Sequence, residues 1–297
     1  MKKSIYMICT LALAGMVVAC GGQKKSSDQT ADTTEAANPN LIAEGQYEKL
    51  IPASDAGPAY VLVDKPQVDL AEFKTDADGY ITIFDGTFKG WRGYLKDNVP
   101  PRWVIDGDAI KMNGSGGGEA QVADGGDLIF SHKFKNFELS FEWKVAKGSN
   151  SGILYLAQEV KGQPIYISSP EYQILDNANH PDAKLGKDGN RQSSSLYDMI
   201  PAVPQNSKPF GEWNTGTIMV YKGTVVHSQN GENMLEYHLW TPQWTEMLQA
   251  SKFSKTKWPL AFELLNNLGG DAHEGYIGLQ DHGDDVWYRN IRVKIME

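Results

Sequence analysis

Five polar side chains fall on strand-like segments whose alternation turns them away from the core: Glu142, Glu171, Gln173, Gln280 and His282. A carboxylate accepts hydrogen bonds, a primary amide both donates and accepts, and an imidazole moves protons near neutral pH. Gathered on one surface, such groups suit the hydroxyls of a sugar and could do acid–base chemistry on it. Singly, each is an ordinary solvated strand residue. Their recurrence on separate strands, with no lysine among them, favours a site.

The strands that must carry them are legible in the alternation. In Phe137-Glu138-Leu139-Ser140-Phe141-Glu142-Trp143 the odd positions are apolar, so Glu142 faces outward. Tyr172 and Ile174 form the core pair of the next such segment, which leaves Glu171 and Gln173 outside. Ile277 and Leu279 point in, so Gln280 and His282 point out beside Gly278, whose missing side chain would leave room for a ligand. If these segments share one sheet, all five polar residues line one open face. Trp91, Tyr155, Trp240 and Trp244 are candidate platforms for a pyranose ring.

The surrounding chain predicts an all-β sandwich or jelly roll. Short alternating runs occur at Tyr80–Phe84, Trp103–Ile105, Gly152–Ala157, Thr217–Val226, Met234–Trp240, Gly275–Gln280 and Val286–Ile295. Asn230-Gly231 is a strong hairpin signal. One short helix is expected over Pro242–Ser251, with Trp244, Met247 and Leu248 at helical spacing. Residues 41–79 read as a lead-in, with a helical turn or two over Leu41–Leu50, and residues 80–297 as the jelly-roll domain. Residues 162–209 are rich in Pro, Asn, Asp and Ser, and loops of that length in a compact domain are usually functional. Asp76-Ala77-Asp78-Gly79 lacks the remaining ligands of a calcium loop and reads as a turn. The run from Asp176 to Asp182 could hold a metal, but an Asx-rich turn explains it better. Ser193-Ser194-Ser195 lacks the glycines of a nucleophile elbow.

The N-terminus has its own logic. Lys2-Lys3, an apolar stretch from Ile5 to Val18 and Val17-Val18-Ala19-Cys20 resemble a secretory leader ending in a lipobox. The stretch is shorter than the roughly 20 residues that span a bilayer. Residues 1–19 are therefore expected to be removed and Cys20 lipidated. Residues 20–40 are polar and serve as a tether. The other cysteine, Cys9, leaves with the leader, so no disulfide is expected. The chain of 297 residues carries a formal net charge of −9. Of its 28 basic residues Lys2 and Lys3 are lost, leaving 26 against 37 acidic ones, or −11. That balance argues against nucleic acid. The tether lacks an acidic cluster, which favours a periplasm-facing, lipid-anchored domain in the cell envelope.

Several motifs together resemble one family. They are Phe84-Asp85-Gly86 with Gly90-Trp91; Phe137-Glu138-Leu139 with Glu142-Trp143 and Asn150-Ser151-Gly152-Ile153; Glu171-Tyr172-Gln173-Ile174-Leu175-Asp176; Gly211-Glu212-Trp213-Asn214; and Gly278-Leu279-Gln280-Asp281-His282-Gly283 with Tyr288-Arg289-Asn290-Ile291. In order and over about residues 81–295, they are similar to the 3-keto-disaccharide hydrolases, also described as 3-keto-α-glucoside 1,2-lyase and 3-keto-2-hydroxyglucal hydratase domains. The resemblance implies a concanavalin A-like jelly-roll sandwich acting on glycosides already oxidised at C3 by an exported oxidoreductase. It implies β-elimination, hydration or both, with Glu171 and His282 as base, acid or metal contact. Asn150, Gln173, Gln280 and Arg289 would hold the ketone and hydroxyls, with Glu142 and Asp176 in support. Arg289 falls on the inward side with Ile291 and Val293 unless a bulge intervenes. A divalent cation polarising the ketone is a further possibility the family allows, with Glu171 and His282 as candidate ligands. A conventional jelly-roll glucanase would carry Glu-x-Asp-x-Glu, but Ser140 stands where its Asp should be between Glu138 and Glu142. A non-catalytic carbohydrate-binding lipoprotein is the other alternative.

Overall fold

The computed structural model describes residues 47–55, 57–115 and 124–297. The leader, Cys20 and the tether therefore lie outside the described residues. Strands β1 (Glu48–Ile51) and β2 (Tyr60–Val63) pair as a separate antiparallel hairpin. They are followed by β3 (Tyr80–Thr82), β4 (Trp91–Gly93), β5 (Trp103–Asp106), β6 (Ala109–Met112), β7 (Leu128–Phe134), β8 (Phe137–Val145), β9 (Asn150–Ala157) and β10 (Glu171–Leu175). Next come β11 (Asn214–Tyr221), β12 (Thr224–Gln229) and β13 (Glu232–His238), then helices α1 (Pro242–Ala250) and α2 (Pro259–Asn266). Strands β14 (Gly275–Leu279) and β15 (Val286–Ile295) close the chain.

Two sheets make the sandwich. The smaller has five strands in the order β10-β9-β14-β7-β4; the larger has eight, in the order β13-β12-β11-β8-β15-β6-β5 with β3 on β15. This is the all-β jelly roll that the strand pattern and the family resemblance imply. Strand β8 alternates between buried and half-buried positions along its whole length, as its sequence requires. Its inward Phe141 meets Tyr172 of β10 edge to face at 5.3 Å, joining the two sheets through the core. Each large apolar side chain buried there contributes about 1.5–3 kcal/mol.

The smaller sheet is covered on both faces, which is why β9, β10 and β14 are buried at every position. Its outer face packs Ile129, Leu154 and Tyr276 under Ile165 and Tyr94. Single-residue alternation marks inside and outside there, but not buried and exposed.

The structure departs from expectation in three elements. The described part of Leu41–Leu50 is a strand, not a helical turn, because β1 finds a partner in the Tyr-Val-Leu-Val run of β2. That hairpin is held by Val63 N–H donating to Glu159 O and Lys161 N–H donating to Val61 O, both 2.9 Å. The run Thr217–Val226 is two strands split at Lys222-Gly223, whose φ angles of 49° and 87° suit a hairpin turn. There are two helices where one was expected. Helix α2 is two turns long, burying Ala261, Phe262, Leu264 and Leu265 with Glu263 and Asn266 on its less buried side, and an apolar run that short does not distinguish helix from strand. It packs on α1, where Trp244 Nε1 donates to Leu265 O at 2.8 Å.

Candidate functional site

The outer face of β10, β9 and β14 carries polar groups in rows set by strand register. Gln173 pairs with Gly152, Leu175 with Asn150, and Glu171 with Leu154. Gln280 joins the Gly152 row by donating its N–H to Gly152 O at 2.9 Å. Same-face rows lie about 7 Å apart. Glu171 does not stay in its own row. An added Cβ at Gly152 would lie 2.7 Å from its Cγ and 2.8 Å from its Cδ, so the carboxylate leans over Gly152 into the middle row. A glycine is needed there for close approach, not for backbone freedom.

These residues floor a cleft lined by Asn150, Glu171, Gln173, Gln280 and His282, with Tyr166, Tyr197 and Lys252 completing its walls. The alternation reading is thus correct for the smaller sheet. Asn150 Oδ1, Gln173 Nε2 and Gln280 Oε1 are buried without a hydrogen-bond partner among the described residues. Leaving a buried polar group unpaired costs about 1–3 kcal/mol, so three in one cleft mark a place built to receive a polar ligand.

His282 stands at the Asn150 end. Its Nδ1 is 3.8 Å from Asp284 Oδ2, which in turn accepts the Asn150 N–H at 3.0 Å. The His180 ring meets the His282 ring at 5.8 Å, nearly perpendicular. Burial and the neighbouring His282 push the His180 imidazole below its ordinary pKa. At the other end Tyr197 N–H donates to Glu171 O at 3.1 Å. Its phenol is pushed well up by burial and by the Glu171 charge, so it stays protonated and donates to Asp182 Oδ2 at 3.0 Å.

Other expected site residues lie elsewhere. Glu142 belongs to β8, in the larger sheet, and so points from the opposite outer face of the sandwich. A bulge between Arg289 and Arg292, with Asn290 at φ 51°, does turn Arg289 outward, but onto that same distant face. There Arg289 Nε donates to Glu142 Oε2 at 2.8 Å and Asn290 Nδ2 to Glu142 Oε1 at 2.7 Å. Both are corrected from substrate contacts to a surface ion-pair network. Asp176 is an Asx-type turn anchor. Gly148 N–H and Asn179 Nδ2 donate to its Oδ2, and Ala178 N–H to its Oδ1. Burial would raise its pKa, but these bonds carry it below the usual carboxylate value. The space beside Gly278 is filled by Ile165, whose Cδ1 lies 2.9 Å from where a Cβ would stand. Trp91, Tyr155 and Trp244 are in the core, and Trp240 stacks on His273 at 3.8 Å. The aromatic groups at the cleft are Tyr166, in a single 3₁₀ turn over Ile165–Ile167, and Tyr197, in an irregular segment, neither long enough for periodicity to carry a signal.

The candidate cation ligands also change. Glu171 is not part of the group whose donor atoms converge. That group is His180, His282 and Asp284, within 4.8 Å of one another. Two imidazoles and a carboxylate suit a first-row divalent ion in donor type. His180 Nδ1, however, accepts the Asp182 N–H at 3.1 Å. In the neutral ring the proton then sits on Nε2, and a cation there would require that tautomer to switch.

Residues 79–294 match the family described as the 3-keto-alpha-glucoside-1,2-lyase-like domain. A protein of Bacteroides thetaiotaomicron named 3-keto-disaccharide hydrolase is 63% identical, with both chains covered completely. Two solved structures from Parabacteroides distasonis ATCC 8503, each described as a candidate glycosyl hydrolase, share the fold. One has a TM-score of 0.62 at 24% identity, covering 74% of this chain and 95% of that one. The other has a TM-score of 0.52 at 23% identity, covering 69% and 99%. On the full-length identity and the extent of the domain match, the chain belongs to the family of 3-keto-alpha-glucoside-1,2-lyase-like domains.

Proposed function

We propose that this protein cleaves the glycosidic bond of 3-keto-disaccharides and related 3-keto-glycosides, by elimination followed by hydration. The observation that carries this reading is the convergence of Glu171, His282 and three unpartnered amide atoms in one buried cleft. A ketone at C3 makes the C2 proton acidic. A base removes it, and the electron pair forms an enolate. Its collapse restores the ketone, forms the C1–C2 double bond and expels the glycosidic oxygen, which takes a proton. Water then adds at C1 and C2 regains a proton, giving net hydrolysis. Glu171 and His282 supply the base and the acid, worth about 10²–10⁴-fold each. Asn150, Gln173 and Gln280 hold hydroxyls and orient the ring.

A divalent cation held by His180, His282 and Asp284 would polarise a sugar oxygen or acidify a bound water. It would also occupy His282, so cation binding and proton transfer by that ring are alternatives that a chelator separates.

The conventional glucanase reading has less support. Two-carboxylate hydrolysis needs a second carboxyl facing the first across the bond, and Glu171 is the one carboxylate among the residues lining the cleft. Glu138 and Glu142 lie on the far sheet. The substrate must already carry a ketone, so an oxidoreductase acting on glycosides precedes this step. Lipidation of Cys20 would keep the domain in the envelope compartment where that partner is exported.

The test is a paired assay of the soluble chain on a glucoside and its 3-keto derivative, following enone absorbance and released aglycone. Turnover of the keto form alone is expected, with kcat falling about 10²–10⁴-fold in Glu171→Gln and His282→Ala. Cleavage of the plain glucoside would sink the proposal. Binding of both without turnover would make the protein a lectin. Loss of rate on chelation, restored by added cation, would assign His282 to the metal.

A further inference from the structure

Tyr166, Tyr197 and Lys252 line the cleft without a part in the chemistry described above, and Lys252 is the one cation among the three. Lys252 lines the cleft, yet no carboxylate lies within 4.0 Å of its ammonium among the described residues. Its partners are rings. The Nζ atom is 4.4 Å from the centroid of Tyr197, 5.0 Å from Phe253 and 5.6 Å from Tyr166. Its backbone N–H is fixed by Asp198 Oδ2 at 3.1 Å. An aromatic cage holds a cation in place without neutralising it, whereas a carboxylate partner would spend the charge. A positioned, unspent positive charge in a partly enclosed site is suited to meet negative charge that appears during a reaction.

The order of groups along the cleft says where that charge appears. His282 is at the Asn150 end. The Glu171 carboxylate leans over Gly152, one row further on. The Tyr197 backbone lies at the end where its N–H meets Glu171 O, and its ring, with the Lys252 ammonium against it, reaches from there towards Asp182 beside His180. The proposed reaction needs three groups in sequence: an acid at the oxygen on C1, a base at C2 and an electrophile at the oxygen on C3. Because these carbons are consecutive, the base must be the middle group.

We infer that Lys252 is a catalytic residue that stabilises the oxyanion on the C3 oxygen, with Glu171 the base at C2 and His282 the acid at the leaving oxygen. This rests on the function proposed above. When Glu171 takes the C2 proton, the C–H pair becomes the C2–C3 double bond and the carbonyl pair moves onto O3, facing the ammonium. Collapse of that enolate breaks the C1–O bond and His282 protonates the departing oxygen. Hydration passes through the same enolate in reverse, so one cation serves both halves.

The experiment uses two substrates. One is a 3-keto-glucoside with a chromogenic aglycone. The other is 1,5-anhydro-3-keto-glucitol, which has no leaving group and reports only deuterium exchange at C2 by NMR. Lys252→Met should lower both C2 exchange and the kcat of cleavage by about 100-fold, the size of losing one oxyanion-hole donor. KM should stay within about threefold, because the interaction forms in the transition state. Lys252→Arg should retain more of both rates, and an alkylammonium ion should partly rescue Lys252→Ala. Rescue by a soluble cation keeps the test open even if one variant folds poorly. Wild-type turnover with unchanged C2 exchange in Lys252→Met overturns the inference and leaves the proposed function standing. A rise in KM alone also overturns it. Absence of both exchange and cleavage in the wild type takes down the proposed function itself.

Discussion

Gly152 and Glu171 show how a side chain's reach differs from its place in the register. By pairing, Glu171 stands opposite Leu154. By contact, its carboxylate lies over Gly152, in the row of Gln173 and Gln280. A methyl group at position 152 would collide with the Glu171 side chain and push the carboxylate away. Gly152→Ala should therefore lower kcat by about 100-fold, the scale of a 1 Å misplacement, while the protein still binds substrate and unfolds cooperatively. Glu142→Gln is the control from the other sheet. It breaks a bond to Arg289 on a distant face, so kcat on the keto substrate should stay within about threefold. Steady-state kinetics of the two variants side by side would test the separation of the sheets from the site. The family motif brings both glutamates to notice equally, and only register and reach tell them apart.

At the scale of elements, strand β10 of the candidate site is supported from behind by a buried polar chain. Segment 194–196 pairs with it through Ser194 N–H to Gln173 O at 2.7 Å and Gln173 N–H to Ser195 O at 3.1 Å. His227 of β12 fixes that segment by donating from Nδ1 to Ser194 O at 2.9 Å. Its Nε2 accepts from Tyr155 at 2.7 Å, and Tyr155 is bonded to Tyr237 of β13. Burial pulls the His227 pKa down to about 4 from 6.5. The unfolded chain then binds more protons than the native one between those values. Stability is full above about pH 6.5 and is lost as the pH falls towards 4, by about 3 kcal/mol in all. Urea titrations at pH 7 and pH 4.5 should show this loss, and His227→Gln should flatten it at a cost to stability at neutral pH. None of the network was legible from alternation, because the run read over Thr217–Val226 stops short of His227 and spans a turn that resets which positions face inward.

For the molecule as a whole, the family match begins at residue 79, but the folded unit begins earlier. Tyr60, Leu62, Val68, Leu70 and Phe73 pack against the core, and the Phe73 ring meets Phe130 at 5.2 Å. The hairpin also binds the backbone of Glu159, whose carboxylate holds Arg92 by two bonds of 2.7 Å in the interior. A chain started at Gly79 should melt roughly 10 °C or more below one started at Tyr47, given a few kcal/mol of lost packing. Differential scanning calorimetry would decide it. The proposed anchor is tested separately. Cys20→Ser should leave the enzyme's turnover unchanged but move it from the membrane to the soluble fraction, with loss of labelling by radioactive palmitate.

Local pattern was enough to determine the all-β class, the outer-facing set on and just after β10 and β14, and the family. Alternation with period two is a property of the strand itself, and the family motifs are strings of neighbours. What only the tertiary structure decided is which strands share a sheet. That choice removed Glu142 and Arg289 from the cleft and brought in Tyr166, Tyr197 and Lys252 from segments without periodicity. It also joined His180 to His282 and Asp284, some hundred residues apart in the chain. Sheet membership is set by the packing of many side chains over long sequence separations, and no short window of sequence contains it.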